Sequence, residues 1–222
     1  MYGHAGLTSQ GGTHMVGWIV PSVARYEEGL DLDTAMKKHV ALWEEKKKTL
    51  PKNTRENPFS LDKAAKEYAT GYLRQASPVS AAKAWAGGAA KNLFAPVGVE
   101  LAYFFNMDWT HFYDAKGTGL VEQTYNFLFH NKNKTYSALL VSGVAFILVF
   151  RLIQLFGAGL LGKQKPDFFT ASLLIAAYFL IISGPVGYAK YRLPYEPILV
   201  LLTALTVSSL SFWTRKNQDK SP

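Results

Sequence analysis

Residues 136–161 read YSALLVSGVAFILVFRLIQLFGAGLL, with Arg151 and Gln154 as the two strongly polar interruptions. A helix crosses the hydrocarbon core of a bilayer with roughly 20 apolar residues, at ~1.5 Å rise each. This run exceeds that length, and the excess is taken up by tilt or by an Arg151 that snorkels to one face. The other reading of Arg151 is a functional charge inside the membrane, which is costly to place there. Two further apolar runs follow, FFTASLLIAAYFLIISGPVG at 168–187 and ILVLLTALTVSSLSFW at 198–213, the second extendable back to Leu193. The links are short and basic, GKQKPD at 162–167 and YAKYRLPYEP at 188–197. The expected fold class is therefore an all-α membrane protein. Three C-terminal transmembrane helices, at about 136–161, 168–187 and 194–213, follow a helical, loop-rich extramembrane region over 1–130. The tail at 214–222 is polar and expected to fray.

Charge follows the same division. Residues 1–130 carry 14 Lys and Arg against 13 Asp and Glu, whereas residues 131–222 carry 10 against 3. Nearly all of the formal net charge of +8 thus flanks apolar runs. Nucleic-acid binders instead gather Lys and Arg as a patch on a folded surface, so no nucleic-acid partner is expected. Cations beside spans meet lipid phosphates or set topology. One side would hold Lys163, Lys165, Arg215, Lys216 and Lys220, the other Lys132, Lys134, Lys190 and Arg192. The excess puts the C-terminus in the cytoplasm. The chain has no cysteine, which excludes disulfides, thiolate metal sites and cysteine nucleophiles.

Upstream of the apolar runs the signals are helical. Asp31 or Asp33 caps a helix through about Lys48, with Leu32, Met36, Val40 and Trp43 on one face, and Pro51 ends it. Ser60 is expected to cap a second helix, with Leu61, Ala64, Ala65, Tyr68, Tyr72 and Leu73 on one side. Ser77-Pro78 is a cap followed by proline at the first helical position, opening a third helix that Gly87-Gly88 weakens. The aromatic stretch near 96–113 is too short to span and suits either an interfacial helix or a packed core segment. Residues 120–129 predict one more short helix. No alternation long enough for a sheet is present.

Candidate chemistry is sparse. The histidines His4, His14, His39, His111 and His130 show no i, i+4 pair and no HExxH, so no metal site is expected and most are read as surface groups. SQGGTH at 9–14 lacks the Gly-Lys-Ser/Thr end of a phosphate loop. It reads as a flexible turn, or as a loop near a polar substrate carrying Ser9, Gln10 and His14. Glu27, Glu28, Asp31 and Asp33 cluster, but at helix starts, where a solvated face is the simpler reading. YAKYRLPYEP is the most informative segment. Lys190 and Arg192 stand just before a span, where a guanidinium fork and an ammonium suit a lipid phosphate or simply anchor the helix. Glu196 is placed to neutralise one of them.

The run GPVGYAKYRLPYEPILVLL at 184–202 resembles the C-terminal end of bacterial GT-C glycosyltransferases of the dolichyl-phosphate-mannose protein mannosyltransferase-like group. LTSQGGTHMVGWIVPSVARYEEG at 7–29, KNLFAP at 91–96 and TGLVEQTYNFLFHNK at 118–132 are similar to stretches of the same proteins. The resemblance implies a many-span enzyme of the bacterial inner membrane that moves a sugar from a polyprenyl-phosphate donor to a lipid, glycan or protein acceptor. It implies an acidic residue in an early extracytoplasmic loop as base or metal ligand, hence a divalent metal in a complete family enzyme. It also implies cations that hold the leaving phosphate, a role that falls on Lys190 and Arg192. No cofactor is otherwise evident. Three spans are too few for such an enzyme, so the chain is expected to be its C-terminal portion, working with an N-terminal half that carries the catalytic loop. The alternative expectation is a small non-enzymatic membrane protein with an accessory or assembly role.

Overall fold

A computed structural model of the chain describes residues 9–130 and 132–218. Among the described residues every element is helical and there is no strand. In chain order these are α1 (Gly11–His14), a π-helical turn (Met15–Ile19), α2 (Val20–Glu27), α3 (Leu32–Lys48), α4 (Lys52–Glu56) and α5 (Pro58–Gln75). Then come α6 (Pro78–Phe94), α7 (Gly98–Phe104), a 3-10 turn (Phe112–Asp114), α8 (Leu120–Phe129), α9 (Lys134–Gln164) and α10 (Pro166–Ile182). A second 3-10 turn (Ala189–Tyr195) leads directly into α11 (Glu196–Gln218). Two compact units result. The first holds the residues up to Gly88, Asp108–Ser137 and Gly184–Val186; the second holds Ala89–Met107, Ala138–Ser183 and the residues from Gly187 on.

In the first unit Val16, Val20, Trp43, Ala65 and Ala69 form the core, ringed by Met15, Leu50, Leu61, Ala64, Tyr68, Tyr72 and Leu73. The expected inner face of α5 is borne out. Its cap is not Ser60 but Asn57, whose Oδ1 accepts from the amides of Phe59 and Ser60 at 3.0 and 3.2 Å, with Pro58 at the first helical position. Asp31 caps α3, accepting from the Thr34 amide at 2.9 Å. The buried line of α3 is Leu32, Ala35, His39 and Trp43. Val40, expected inside, is exposed. Ala35 and His39 take the inner places expected for Met36 and Val40, and His39 meets an acidic partner there. Ser77 caps α6 as expected, its Oγ accepting from the Val79 amide at 3.2 Å.

The glycine pair expected to turn at 11–12 instead opens a helix. A Cβ on Gly12 would lie 2.2 Å from the Asp62 carbonyl and 2.7 Å from the Ala65 Cβ, so α1 packs directly on the backbone of α5. Buried Asp62 accepts from the Gly12 amide and pairs with Lys66 at 2.8 Å. It thereby takes up one of the orphan donors of the first turn of α1. A second buried link joins α2 to α8. Arg25 donates to Gln123 Oε1 at 2.8 Å and to the Gly117 carbonyl at 3.2 Å, and Gln123 Nε2 donates to the Phe112 carbonyl at 3.0 Å.

In the second unit large apolar side chains face outward. Buried positions on α9, α10 and α11 include Gln154, Ser172 and Thr206, while Phe146, Leu152, Leu155, Leu174, Ile181 and Val200 are exposed. Two helical stretches are long and apolar enough to cross a membrane, Lys134–Gln164 and Ala189–Leu210. The middle run of the expected three falls short. Its helix, α10, has 17 residues and stops at Ile182, although apolar residues continue to Gly187. Ser183 Oγ bonds back to the Phe179 carbonyl at 2.6 Å, Gly184 takes a left-handed φ of 63°, and Pro185 follows. That is a helix C-terminus set by backbone chemistry, which hydropathy does not see. At the other end α11 continues helical past Trp213 to Gln218, and the rest of the expected tail, 219–222, lies outside the described residues.

Candidate functional site

The YAKYRLPYEP segment becomes the 3-10 turn Ala189–Tyr195 and the first turn of α11. Prolines at 194 and 197 favour a tight start over a longer α-helix. The turn is tied down within the second unit. The Tyr188 amide donates to Asn92 Oδ1 at 2.6 Å and its hydroxyl to Glu100 Oε1 at 2.9 Å. Asn92 is fully buried, as are Ala189 and Tyr195.

The two cations of the segment have different situations. Arg192 is mostly buried. It donates to the carbonyls of Ala95 and Asn92 at 3.1 and 3.4 Å and pairs with Glu196 at 3.5 Å. Lys190 is exposed. Its ammonium lies 5.3 and 5.7 Å from the ring centroids of Tyr188 and Tyr191. Among the described residues it forms no ion pair.

Arg151 belongs to the same constellation. Its Nε donates to the Leu93 carbonyl at 2.9 Å, and its NH1 to Gln154 Oε1. Gln154 in turn donates to Thr203 Oγ1 at 3.2 Å. Arg151 and Arg192 therefore converge on the carbonyls that end α6. The last turn of a helix leaves carbonyls without intrahelical partners and carries partial negative charge. Two guanidinium groups on it supply both the donors and the compensating charge. Arg151 is hydrogen-bonded to two neutral groups, so it is not a freely snorkelling anchor. Of the three cations, Arg192 pairs with Glu196, while Glu100 accepts from the Tyr188 hydroxyl. The buried Asn92 Nδ2 and Tyr195 hydroxyl have no hydrogen-bond partner. Buried polar groups of that kind are uncommon and mark an environment that favours polar company.

Ser9, Gln10 and His14 stand at the start of α1, in the first unit. Ser9 is half-buried; Gln10 and His14 are exposed, and the His14 amide closes the first turn on the Gln10 carbonyl at 2.9 Å. His4 lies outside the described residues.

A second polar cluster in the first unit escaped the reading of the sequence. Glu28 Oε1 accepts from the Tyr72 hydroxyl at 3.1 Å and lies 3.1 Å from His39 Nε2, while Oε2 accepts from Lys38 at 2.7 Å. His39 is buried rather than at the surface, and its ring meets Tyr72 edge-on with centroids 4.7 Å apart. Burial pushes the His39 pKa down, and the Glu28 carboxylate only partly opposes this, so it lies below the ordinary value. Burial alone would raise Glu28, but the hydrogen bonds from Lys38, Tyr72 and His39 outweigh it and hold the carboxyl below its usual range. Burial, then Glu28, pushes the Tyr72 phenol up. The signal for the cluster was weak: one histidine three residues after Met36 on a helix whose apolar positions allowed either register.

Among the described residues no group of three or more His, Cys, Asp or Glu is gathered as metal ligands would be. Comparison with protein-family models, with curated protein sequences and with solved structures finds no match to this chain.

Proposed function

We propose that the chain is an integral membrane protein and serves as the C-terminal portion of a glycosyltransferase using a polyprenyl-phosphate sugar donor. The membrane half of the reading is supported by the exposed apolar faces of the second unit's helices. The windows that qualify as spans in α9 and in the helix at Ala189–Leu210 are each 11% buried within the chain. Apolar side chains left out of the fold at that density suit an apolar solvent. The 17 residues of α10 reach ~26 Å, the short end of what crosses a hydrocarbon core, and α10 is read as the third crossing. Exposed Tyr103, Phe104 and Phe105, at the end of α7, suit the bilayer interface. The C-terminus is assigned to the cytoplasm and the Ala189–Tyr195 turn to the opposite face.

The observation that carries the chemistry is Lys190, an exposed ammonium unmatched by a carboxylate, on an anchored turn at the mouth of a helix of spanning length. Such a cation stabilises the charge that develops on a departing lipid phosphate. Arg192 and Arg151 act as positioning residues that hold the turn against the end of α6. The acidic residue that activates the acceptor comes from a partner polypeptide.

The full chain in lipid nanodiscs should bind a long-chain polyprenyl phosphate in preference to the corresponding alcohol. Lys190→Ala should weaken that binding about tenfold, ~1.4 kcal/mol, the scale of a charge-assisted contact. Equal binding of phosphate and alcohol, or unchanged affinity in the variant, would return Lys190 to a simple anchor and leave the accessory role as the better reading. Sugar transfer should appear only on co-expression with a polypeptide supplying the acidic loop.

A further inference from the structure

The outer side of α8 carries an apolar stripe that nothing in the first unit covers. Val121, Tyr125 and Phe129 are 84%, 55% and 51% exposed and recur every four residues, so they lie on one helix face. The opposite side is fully engaged. Gln123 is buried between Arg25 and the Phe112 carbonyl, Asn126 donates to the Lys116 carbonyl at 2.8 Å, and the Phe127 ring meets Phe112 and Tyr136 at 5.3 and 6.3 Å. The register of α8 is thus fixed from the inside, and the exposed stripe is not free to rotate inward.

We infer that α8 lies along the bilayer surface with Val121, Tyr125 and Phe129 in the boundary between headgroups and acyl chains. This rests on the membrane reading proposed above. The occupant follows from the chain itself: α8 ends at Phe129 and α9, of spanning length, begins at Lys134. The five steps from Phe129 to Lys134 reach at most ~18 Å, so the end of α8 stays near the plane where α9 enters lipid. The junction is short of slack as well, since Lys134 Nζ donates to the Phe129 carbonyl at 3.4 Å and Asn133 accepts from the Tyr136 amide at 3.0 Å. Charge agrees. His130, Lys132 and Lys134 are all exposed where α8 hands over to α9, suited to lipid phosphates. Tyr125 packs on Phe129 and His130 with centroids 5.1 and 5.4 Å apart, presenting rings of the kind that populate the interface. Such a helix keeps the first unit against the bilayer, where a lipid-borne substrate diffuses.

The chain has no cysteine, so single-cysteine variants need no prior background removal. Val121→Cys, Tyr125→Cys, Phe129→Cys, Leu155→Cys and Glu45→Cys, each spin-labelled in the full chain, are reconstituted into phosphatidylcholine–phosphatidylglycerol vesicles. Accessibility to dissolved oxygen is compared with accessibility to a water-soluble nickel chelate. The three α8 labels should shift toward oxygen relative to Glu45→Cys, to a shallower depth than Leu155→Cys. Chelate accessibility at 121, 125 and 129 equal to that at 45, with 155 in lipid, overturns the inference alone. Exclusion of both reagents at those three positions also overturns it and points to a second protein. Aqueous behaviour at 155 overturns the membrane reading and this inference together.

Discussion

At the scale of single residues, the Glu28–His39–Tyr72–Lys38 cluster makes the stability of the first unit depend on pH. His39 has a folded pKa below the ordinary imidazole value. Between the two values the unfolded chain binds more protons, so stability rises with pH through that window and is lost as pH falls through it. Glu28 is held below its usual carboxylate value, and its contribution is present above that value and lost as pH falls toward the folded one. Both effects have the same sign. The thermal midpoint of the full chain, followed by far-ultraviolet circular dichroism, should fall in two stages from pH 7 downward. His39→Gln should remove the upper stage and leave the lower. A midpoint that does not change across the histidine and carboxylate ranges would contradict this role. Little of the cluster was legible beforehand, because a carboxylate one residue past a helix end gives no sign of which helix it faces.

At the scale of elements, most helices announce themselves through short windows. Asp31, Ser77-Pro78 and Pro51 act within four residues of themselves, and they start or stop helices as their chemistry dictates. The misses have the same locality in reverse. Asn57 outcompetes Ser60 as a cap because its side chain reaches two amides ahead of a proline. Gly184 ends α10 inside an apolar run because a left-handed residue cannot continue a helix. Contacts between elements were not legible. A Cβ on Gly157 would lie 2.1 Å from the Leu202 carbonyl, and Thr206 Oγ1 donates to the Ile153 carbonyl at 2.8 Å. Such close helix packing, with a hydroxyl bridging the backbones, is how spans associate where lipid is as apolar as the side chains. Gly157→Val should therefore separate α9 from α11 and cost about 1–3 kcal/mol. Detergent titration of the purified chain should show the loss as an earlier unfolding midpoint. Gly159→Val, with open space at its Cβ, should not.

At the scale of the whole molecule, the membrane reading predicts that the chain stays with the bilayer in high salt and alkaline carbonate and leaves it in detergent. Release by salt alone would contradict it, since screening removes charge contacts but not buried apolar area. Apolar run length, charge placement and caps are sums over neighbouring residues, and these could be read from the chain as written. They predicted the helical class and two of the three expected spanning-length helices. Other features depend on residues some fifty to a hundred positions apart: Arg192 on the carbonyls that end α6, Arg25 on Gln123, Asp62 on the amide of Gly12. Hydrogen bonds and burial depend on distance, and one-dimensional spacing carries no distance between remote segments. The YAKYRLPYEP segment was singled out for its two cations beside a spanning-length helix. Which of its cations is open and which is locked became visible only when the end of α6 was found beside it.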